Sequence, residues 1–300
     1  MARDWCPPRK WNNPSGKRCF EDVASIPTVA RETILKTRLI TFGDGNRHFQ
    51  AAVRRVVSQA ESFQGIDGAT GYFADNLPPD YAKTFRDFPA RFPRGYGLWS
   101  WKPFLVHHVL AQLDAGDVLI YLDAGSEINA LGQGRFQEYL SNVQDQKALF
   151  FQMENAHGDW TKDDPLLVSS DAIAKRGQIA ANCFMVSKTQ ENLEFMRRWL
   201  ELCAANDGDL LKDPDPSSEQ RPEFKAHRHD QSCLSRMVFD ADYCLLPDET
   251  WSTNFQECAD KPFLSLRNKT GRSKIHKIFP VWQRPAIFAR ELARGRGIYR

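Results

Sequence analysis

The sequence predicts an α/β protein with a mainly parallel central sheet flanked by helices. Thr37–Phe42 (TRLITF) reads as a short strand. It is broken by Gly43-Asp44-Gly45 and followed by Phe49, Val53, Val56, Val57, Ala60 and Phe63 at helical spacing. Strand, glycine turn and amphipathic helix form the opening unit of such folds. Within Asp117–Asp123 (DVLIYLD) and Ala148–Met153 (ALFFQM) the apolar residues run without alternation, the pattern of strands covered on both faces. Strand-like and helix-like segments then alternate to residue 246, with no internal repeat and no low-complexity stretch.

Residues 1–35 carry Pro7, Pro8, Pro14 and Pro27 with little periodicity and read as an irregular arm ahead of one domain over 36–300. Beyond the first helix, Pro103–Asp114 is helical in period. Ser100 is placed to cap it, and Pro103 falls in its first turn, where a missing N–H is harmless. Phe136–Val143 predicts a helix, and Gln178–Ser187 (QIAANCFMVS) a third buried strand. Thr189–Ala205 sets Leu193, Met196, Trp199, Leu200 and Cys203 on one face of a helix. Residues 207–226 are polar and rich in Pro and Asp, a long loop. Gln231–Val238 returns to helix and Tyr243–Leu246 to strand.

Hydrophobic content of 42% and charged content of 26% are those of an ordinary soluble globular chain. A formal net charge of +2 advertises no nucleic-acid surface, so no nucleic-acid partner is expected. Basic residues gather at both ends (Arg9, Lys10, Lys17, Arg18; Arg290, Arg294, Arg296, Arg300). They read either as solvated tails or as a source of weak association with an anionic membrane surface. No apolar run approaches the roughly 20 residues that span a bilayer, and the first residues lack the apolar core of a signal peptide. The expected location is cytoplasmic, with at most peripheral membrane contact. The seven cysteines are odd in number and contain no C-x-x-C pair, as buried reduced thiols would be.

Asp123 needs a reason, because an unpaired carboxylate is costly to desolvate. It either caps a turn by accepting backbone N–H groups or stands at the carboxyl end of a central strand, where open α/β sheets bind ligands. Arg94–Val106 (RGYGLWSWKPFLV) clusters Tyr96, Trp99 and Trp101 around Gly95 and Gly97 and sets Lys102 near a helix start. That is either an aromatic core corner with a solvated lysine, or a wall for a nucleotide base or sugar with Lys102 beside a diphosphate. The second reading expects Lys102→Ala to weaken nucleotide binding and leave folding intact.

Ala226–Ser232 (AHRHDQS) is a second cluster. Asp230 serves there either as a helix cap or as a group that orients or deprotonates a hydroxyl, and His227 and His229 have imidazoles suited to a metal. Glu154, Asn155 and His157 follow a buried strand and point to the same sheet edge as Asp123. His107 and His108 fall within a helix and read as packing or surface residues. Asn268, Lys269 and Arg272 make a basic turn, either solvated or reaching a phosphate. No G-x-S-x-G, H-E-x-x-H or G-x-x-x-x-G-K-[ST] motif is present, which argues against a serine hydrolase, a zincin or a P-loop enzyme.

Four of these stretches, in order, resemble one family. YLDAG after an apolar strand is similar to the Asp-x-Asp strand end of GT-A-type glycosyltransferases, which use nucleotide-diphosphate sugars. RGYGLWSWKP, QIAANCFMVSKTQENLEFMRRW and HRHDQS resemble the preceding segment, the acceptor-side strand and helix, and the later His/Asp-Gln element of some members. The resemblance spans roughly residues 37 to 285 and implies a single GT-A-like (Rossmann-like) domain. One departure stands out: the second Asp of the pattern is Gly125 here.

The resemblance implies a divalent metal, Mn2+ or Mg2+, on Asp123, with Glu127 and His229 (or His227) replacing the missing carboxylate, since hard cations prefer several oxygens. The alternative is a metal-independent enzyme in which Lys102 or nearby arginines neutralise the diphosphate. It further implies that Thr41, Phe42, Gly43, Trp101, Lys102 and Asp123 bind the nucleotide sugar. Asp123 and Asp230 would be the catalytic pair, Asp230 as a base if the reaction inverts the anomeric centre. The expected reaction moves a hexose-like sugar from a donor such as a UDP-sugar to an acceptor hydroxyl, on a glycan. Two other readings stand beside it: a non-catalytic glycan-binding protein, and a sugar-phosphate nucleotidyltransferase. FGDGNRHF fits poorly the glycine-rich, arginine-containing loop that the nucleotidyltransferases carry after the first strand.

Overall fold

The computed structural model describes residues 35–44 and 47–278. Apart from Leu35, the expected N-terminal arm lies outside them. Strand β1 (Thr37–Phe42) leads to α1 (Arg47–Glu61) and β2 (Gly68–Tyr72), and three short helices follow: α2 (Asp80–Phe85), α3 (Phe88–Arg91) and α4 (Gly95–Leu98). Then come α5 (Trp101–Gln112), β3 (Val118–Leu122), β4 (Glu127–Ile128), α6 (Gln133–Gln146) and β5 (Ala148–Ala156). The remainder is α7 (Asp171–Ala174), β6 (Gly177–Ser187), α8 (Gln190–Gly208), α9 (His229–Val238), β7 (Cys244–Pro247), β8 (Phe263–Leu264) and α10 (Ile275–Ile278).

The described residues form a six-stranded sheet in the order β2-β1-β3-β6-β5-β7, with β4 and β8 paired in a separate ribbon. Parallel pairing joins β1 to β2 and β3, and β5 to β7. Strand β6 runs antiparallel between β3 and β5, so one strand is reversed in a mainly parallel sheet. Strand β3 shows why its sequence has no alternation. Leu119 and Tyr121 pack into a core with Phe104, Trp199 and Leu234, whereas Val118, Ile120 and Leu122 pack with Val56, Phe136 and Tyr139. Each such side chain contributes about 1.5–3 kcal/mol when fully buried.

Local chemistry sets the helix ends. Thr189 caps α8 by accepting from the Asn192 N–H at 3.0 Å. Ser100, expected as a cap, makes no cap bond and shares a hydrogen bond of 2.8 Å with the Tyr81 hydroxyl. Around α4 the chain turns through left-handed residues, with φ of 51° at Tyr96, 52° at Leu98 and 61° at Trp99. Gly95 is required there: a Cβ would lie 2.6 Å from the Trp99 ring. This turn swings Trp99 and Trp101 inward. The polar segment 207–226 also differs from a plain loop, because Leu210 and Leu211 are buried at its start.

A buried clamp holds the chain on either side of the β3 end. The Arg55 guanidinium, from α1, donates to the carbonyls of Ala124 and Ser126, both at 2.7 Å, and of Asn268 and Thr270 at 3.0 and 2.6 Å. Glu127, fully buried, accepts from Asn268 Nδ2, Ser273 Oγ and the Lys274 N–H at 2.6, 2.5 and 2.8 Å. Breaking a buried charge network by deleting one member costs about 3–5 kcal/mol. Glu127→Ala should lose stability on that scale in denaturant melts, and Glu127→Gln, which keeps part of the hydrogen bonding, distinctly less.

Candidate functional site

The carboxyl ends of β1, β2, β3, β5 and β7 share one sheet edge, and β6 begins there. A cleft of about 410 Å³ opens on it. Asp123 enters from the end of β3, Met153 and Asn155 from β5, Asn182 from β6, and Asp248 follows β7. Arg228 and Gln231 come from the start of α9, and Trp251, Ser265 and Arg267 from the chain around β8. The groups facing the space are carboxylates, amides, hydroxyls, guanidiniums and one half-exposed indole.

Asp123 is not sealed in a capped turn. Its side chain is 37% exposed while its base is fixed: the Tyr121 hydroxyl donates to Oδ1 at 2.5 Å, and Lys102 Nζ lies 3.5 Å from the same oxygen. Its own N–H donates to the Asn182 carbonyl at 2.8 Å. Lys102 is buried, donates to the Ala181 carbonyl at 2.9 Å, and stands 2.9 Å from Asp230 Oδ2 with ion-pair rather than hydrogen-bond angles. The two acids named from the sequence are therefore joined through one ammonium.

The joint has a characteristic titration. Burial works against the Lys102 charge, but Asp123 and Asp230 together outweigh it and hold the lysine above its ordinary range. Asp230 is pushed up to about 6, by burial first and by the Asp123 charge, with Lys102 opposing. One ammonium faces two carboxylates, so the more deeply buried of them surrenders part of its claim. Tyr121 is likewise raised by burial and by Asp123, and stays a neutral donor.

Several expectations change at this point. Lys102 is neither solvated nor open to a diphosphate, since its ammonium is spent inside the protein. Trp101 is buried, stacks on Phe42 with 4.1 Å between ring centroids, and donates from Nε1 to the Gly95 carbonyl. The aromatic cluster is thus a core corner, and neither ring lines the cleft. Thr41 and Gly43 lie at the end of β1, Thr41 with a buried Oγ1 that has no partner among the described residues and Gly43 with its N–H on the Tyr72 carbonyl. Asp230 is not a helix cap; Arg228 holds that position.

The expected metal ligands do not converge. Glu127 is consumed by the clamp. His229 Nδ1 sits 2.7 Å from the Leu211 carbonyl, and its ring stacks on Trp99. His227 bonds the Leu210 carbonyl. Among the described residues no group of three or more His, Cys, Asp or Glu side chains is placed to share an ion. The donor set expected for Mn2+ or Mg2+ is therefore not assembled among the described residues.

Asp248 is a site residue that the sequence reading missed. Its Oδ1 accepts from Thr250 N and Oγ1 at 3.0 and 2.7 Å, and burial raises its pKa. Asn182 Nδ2 bonds Ser265 Oγ at 2.5 Å and Thr250 Oγ1 at 3.2 Å, tying Asp248 to the strand beside Asp123. The signal was available: CLLPD, like YLD, is an apolar strand that ends on an aspartate. Asn155 reaches the cleft as expected, whereas His157 is fully buried against Thr161 and the Leu167 carbonyl. Asn268 is buried in the clamp.

Neither a protein-family model nor a curated protein matches the chain. Solved structures similar to it in shape include a glycosyltransferase involved in the glycosylation of the major capsid of PBCV-1, at 12% identity and TM-score 0.41, covering 76% of this chain and 92% of that one. Mouse xyloside xylosyltransferase 1 aligns at 11% identity and TM-score 0.41 over 77% of this chain and 97% of its own. A galactosyltransferase, LgtC, in complex with donor and acceptor sugar analogues aligns at 11% and 0.41 over 79% and 84%. What this chain does has to be read from its own side chains.

Two outcomes follow from the Lys102 joint. Lys102→Met strands two carboxylates and should cost about 3–5 kcal/mol in denaturant melts, contrary to the intact folding expected of a solvated lysine; adding Asp230→Leu should recover much of the loss. Asp230 binds its proton more tightly folded than unfolded, so its ionisation removes stability as pH rises from about 4, the ordinary carboxylate value, to about 6. The stability of the wild type minus that of Asp230→Asn should fall across this window and level off above it.

Proposed function

We propose that the protein is a glycosyltransferase that moves a hexose-like sugar from a nucleotide-diphosphate donor, a UDP-sugar in the first instance, to an acceptor hydroxyl on a glycan. The observation that carries this reading is Asp123. It is a rigidly held, partly solvated carboxylate at the carboxyl end of a central strand, opening into a cleft whose other groups suit a polyhydroxylated ligand. Asn155 offers an amide donor and acceptor, Asn182 an amide oxygen, and the half-exposed Trp251 a flat apolar face. Four stretches of sequence resembling GT-A-type enzymes support the same reading.

The chemistry then divides among this chain's own groups. Asp123 accepts hydrogen bonds from donor hydroxyls, its orientation set by Tyr121 and its charge balanced by Lys102. Asp230, buried behind Lys102 and absent from the cleft wall, acts as a positioning residue and not as the base on the acceptor. In an inverting reaction Asp248 takes the acceptor proton, helped by a carboxyl that burial has made more basic. The acceptor oxygen forms the new bond to the anomeric carbon. The old carbon–oxygen bond breaks, and its electron pair leaves with the nucleoside diphosphate.

A non-catalytic glycan-binding protein would use the same cleft, so turnover separates the readings. With UDP-glucose, UDP-galactose and their N-acetylated forms, the wild type should release UDP slowly alone and faster with added oligosaccharide. Asp123→Asn and Asp248→Asn should each lower kcat by about a hundredfold or more. No release from any sugar nucleotide would leave the binding protein as the reading. Pyrophosphate release from a sugar 1-phosphate and a nucleoside triphosphate would instead identify a nucleotidyltransferase.

A further inference from the structure

The cleft contains two cations that the reading above leaves without a task. Arg228 and Arg267 both line it. Arg228 Nη1 donates to Gln178 Oε1 at 3.1 Å, and its guanidinium lies over the Trp160 ring, 3.9 Å from the centroid. The charged group that bears on it is not a carboxylate but Arg267: burial first, and then that second guanidinium, lower its hold on a proton. Arg267 makes no side-chain hydrogen bond or ion pair among the described residues. Asp123 and Asp248 share the cleft, yet neither comes within ion-pair distance of either arginine.

We infer that Arg228 and Arg267 form an anion subsite that takes the diphosphate of the sugar nucleotide, supplying with two guanidiniums the positive charge that a metal ion would otherwise bring. This rests on the transferase reading. Like charges facing one cleft are a standing repulsion, and a bound anion relieves it. Guanidinium forks also match phosphate oxygens in pairs, which gives direction as well as charge.

Both arginines are held for this purpose. Arg228 is sandwiched by Trp160 and Gln178, and Gln178 in turn bonds Thr161 and Ser232. Arg267 has φ of 50°, a left-handed conformation that non-glycine residues adopt only when their surroundings impose it. Those surroundings are the clamp: the Asn268 N–H donates to the Gly125 carbonyl at 2.7 Å, and the Asn268 carbonyl accepts from Arg55. A Cβ on Gly125 would lie 3.5 Å from Arg267 Cα. The Arg267 main chain thus closes over the position where the resembled motif carries its second carboxylate. The cleft is two-signed, with carboxylates for hydroxyls and guanidiniums for phosphates, and this polarity orients the donor.

Calorimetry with inorganic pyrophosphate, UMP and UDP in chelator-containing buffer tests the subsite. Wild type should bind pyrophosphate, and UDP more tightly than UMP. Arg228→Gln and Arg267→Gln, with thermal melts verifying that each is folded, should each weaken pyrophosphate and UDP by tenfold or more, the scale of one lost charge-assisted hydrogen bond. Arg267→Lys, which keeps the charge and loses the fork, should fall between. Unchanged pyrophosphate affinity in both glutamine variants would overturn the proposal, as would binding that appears only with added Mn2+ and ignores both substitutions. Arginine-dependent pyrophosphate binding in a protein that turns over no sugar nucleotide would keep the subsite and remove the transferase reading.

Discussion

The site depends on one buried ammonium. Lys102 sits between Asp123 and Asp230 with almost no solvent, and through it α5, β3, β6 and α9 meet at a point. Placing a charge there is unfavourable by itself, so the arrangement persists only while both carboxylates and the Ala181 carbonyl face it. That mutual need makes the geometry of Asp123 rigid. A carboxylate whose position follows from three elements at once keeps its direction toward the cleft without support from a ligand, which is what a preorganised site requires.

Around this point the same edge is assembled by a second buried cation. Arg55 collects four carbonyls, two from the turn after β3 and two from the segment after β8, and Glu127 gathers the donors of that later segment. The outcome is that residues 124–126 and 267–270, far apart in the chain, behave as one wall. Lys102 fixes the acidic side of the cleft and Arg55 the basic side. Neither charge is offered to the ligand; each holds in place the charges that are.

Much of the fold could be read from the sequence because burial on both faces leaves an unmistakable run of apolar residues, as in β3, β5 and β6. Strand direction could not, because QIAANCFMVS looks the same whichever way it runs; β6 is antiparallel to β5, and the segment joining them carries only the one-turn helix α7 rather than a crossover helix that spans the sheet. Strand β2 (GATGY) went unseen because it is half-buried at the sheet edge and rich in glycine. Within the site, Asp123 was legible as a charge at a strand end, and Asp248 obeyed the same rule. Glu127 was misleading: four residues from Asp123 in sequence, it lies beyond a turn in a different strand and faces the clamp. Trp101 and Lys102 misled in the same way, since aromatic and basic residues in a glycine-rich stretch suggest a ligand wall until the left-handed turn points them inward. Arg267 had no local signal, because its backbone is placed by Gly125, which it meets only in the fold, and by the Arg55 bond to the carbonyl of the next residue, Asn268.

The tetrapeptide His227–Asp230 shows how one charged cluster is divided by the backbone. His227 and His229 turn to the carbonyls of Leu210 and Leu211, His227 held to about 3 by burial and then by the neighbouring imidazole, and so neutral. A neutral imidazole can satisfy a buried carbonyl without bringing a charge, which lets a Pro- and Asp-rich segment seat on the core through two leucines. Asp230 turns to Lys102 and Arg228 to the cleft. His229 has φ of 41°, a strained value that lets consecutive residues face three directions at the start of α9. The two histidines therefore bear on function only through position: by anchoring the incoming segment they decide where Arg228 and Asp230 stand.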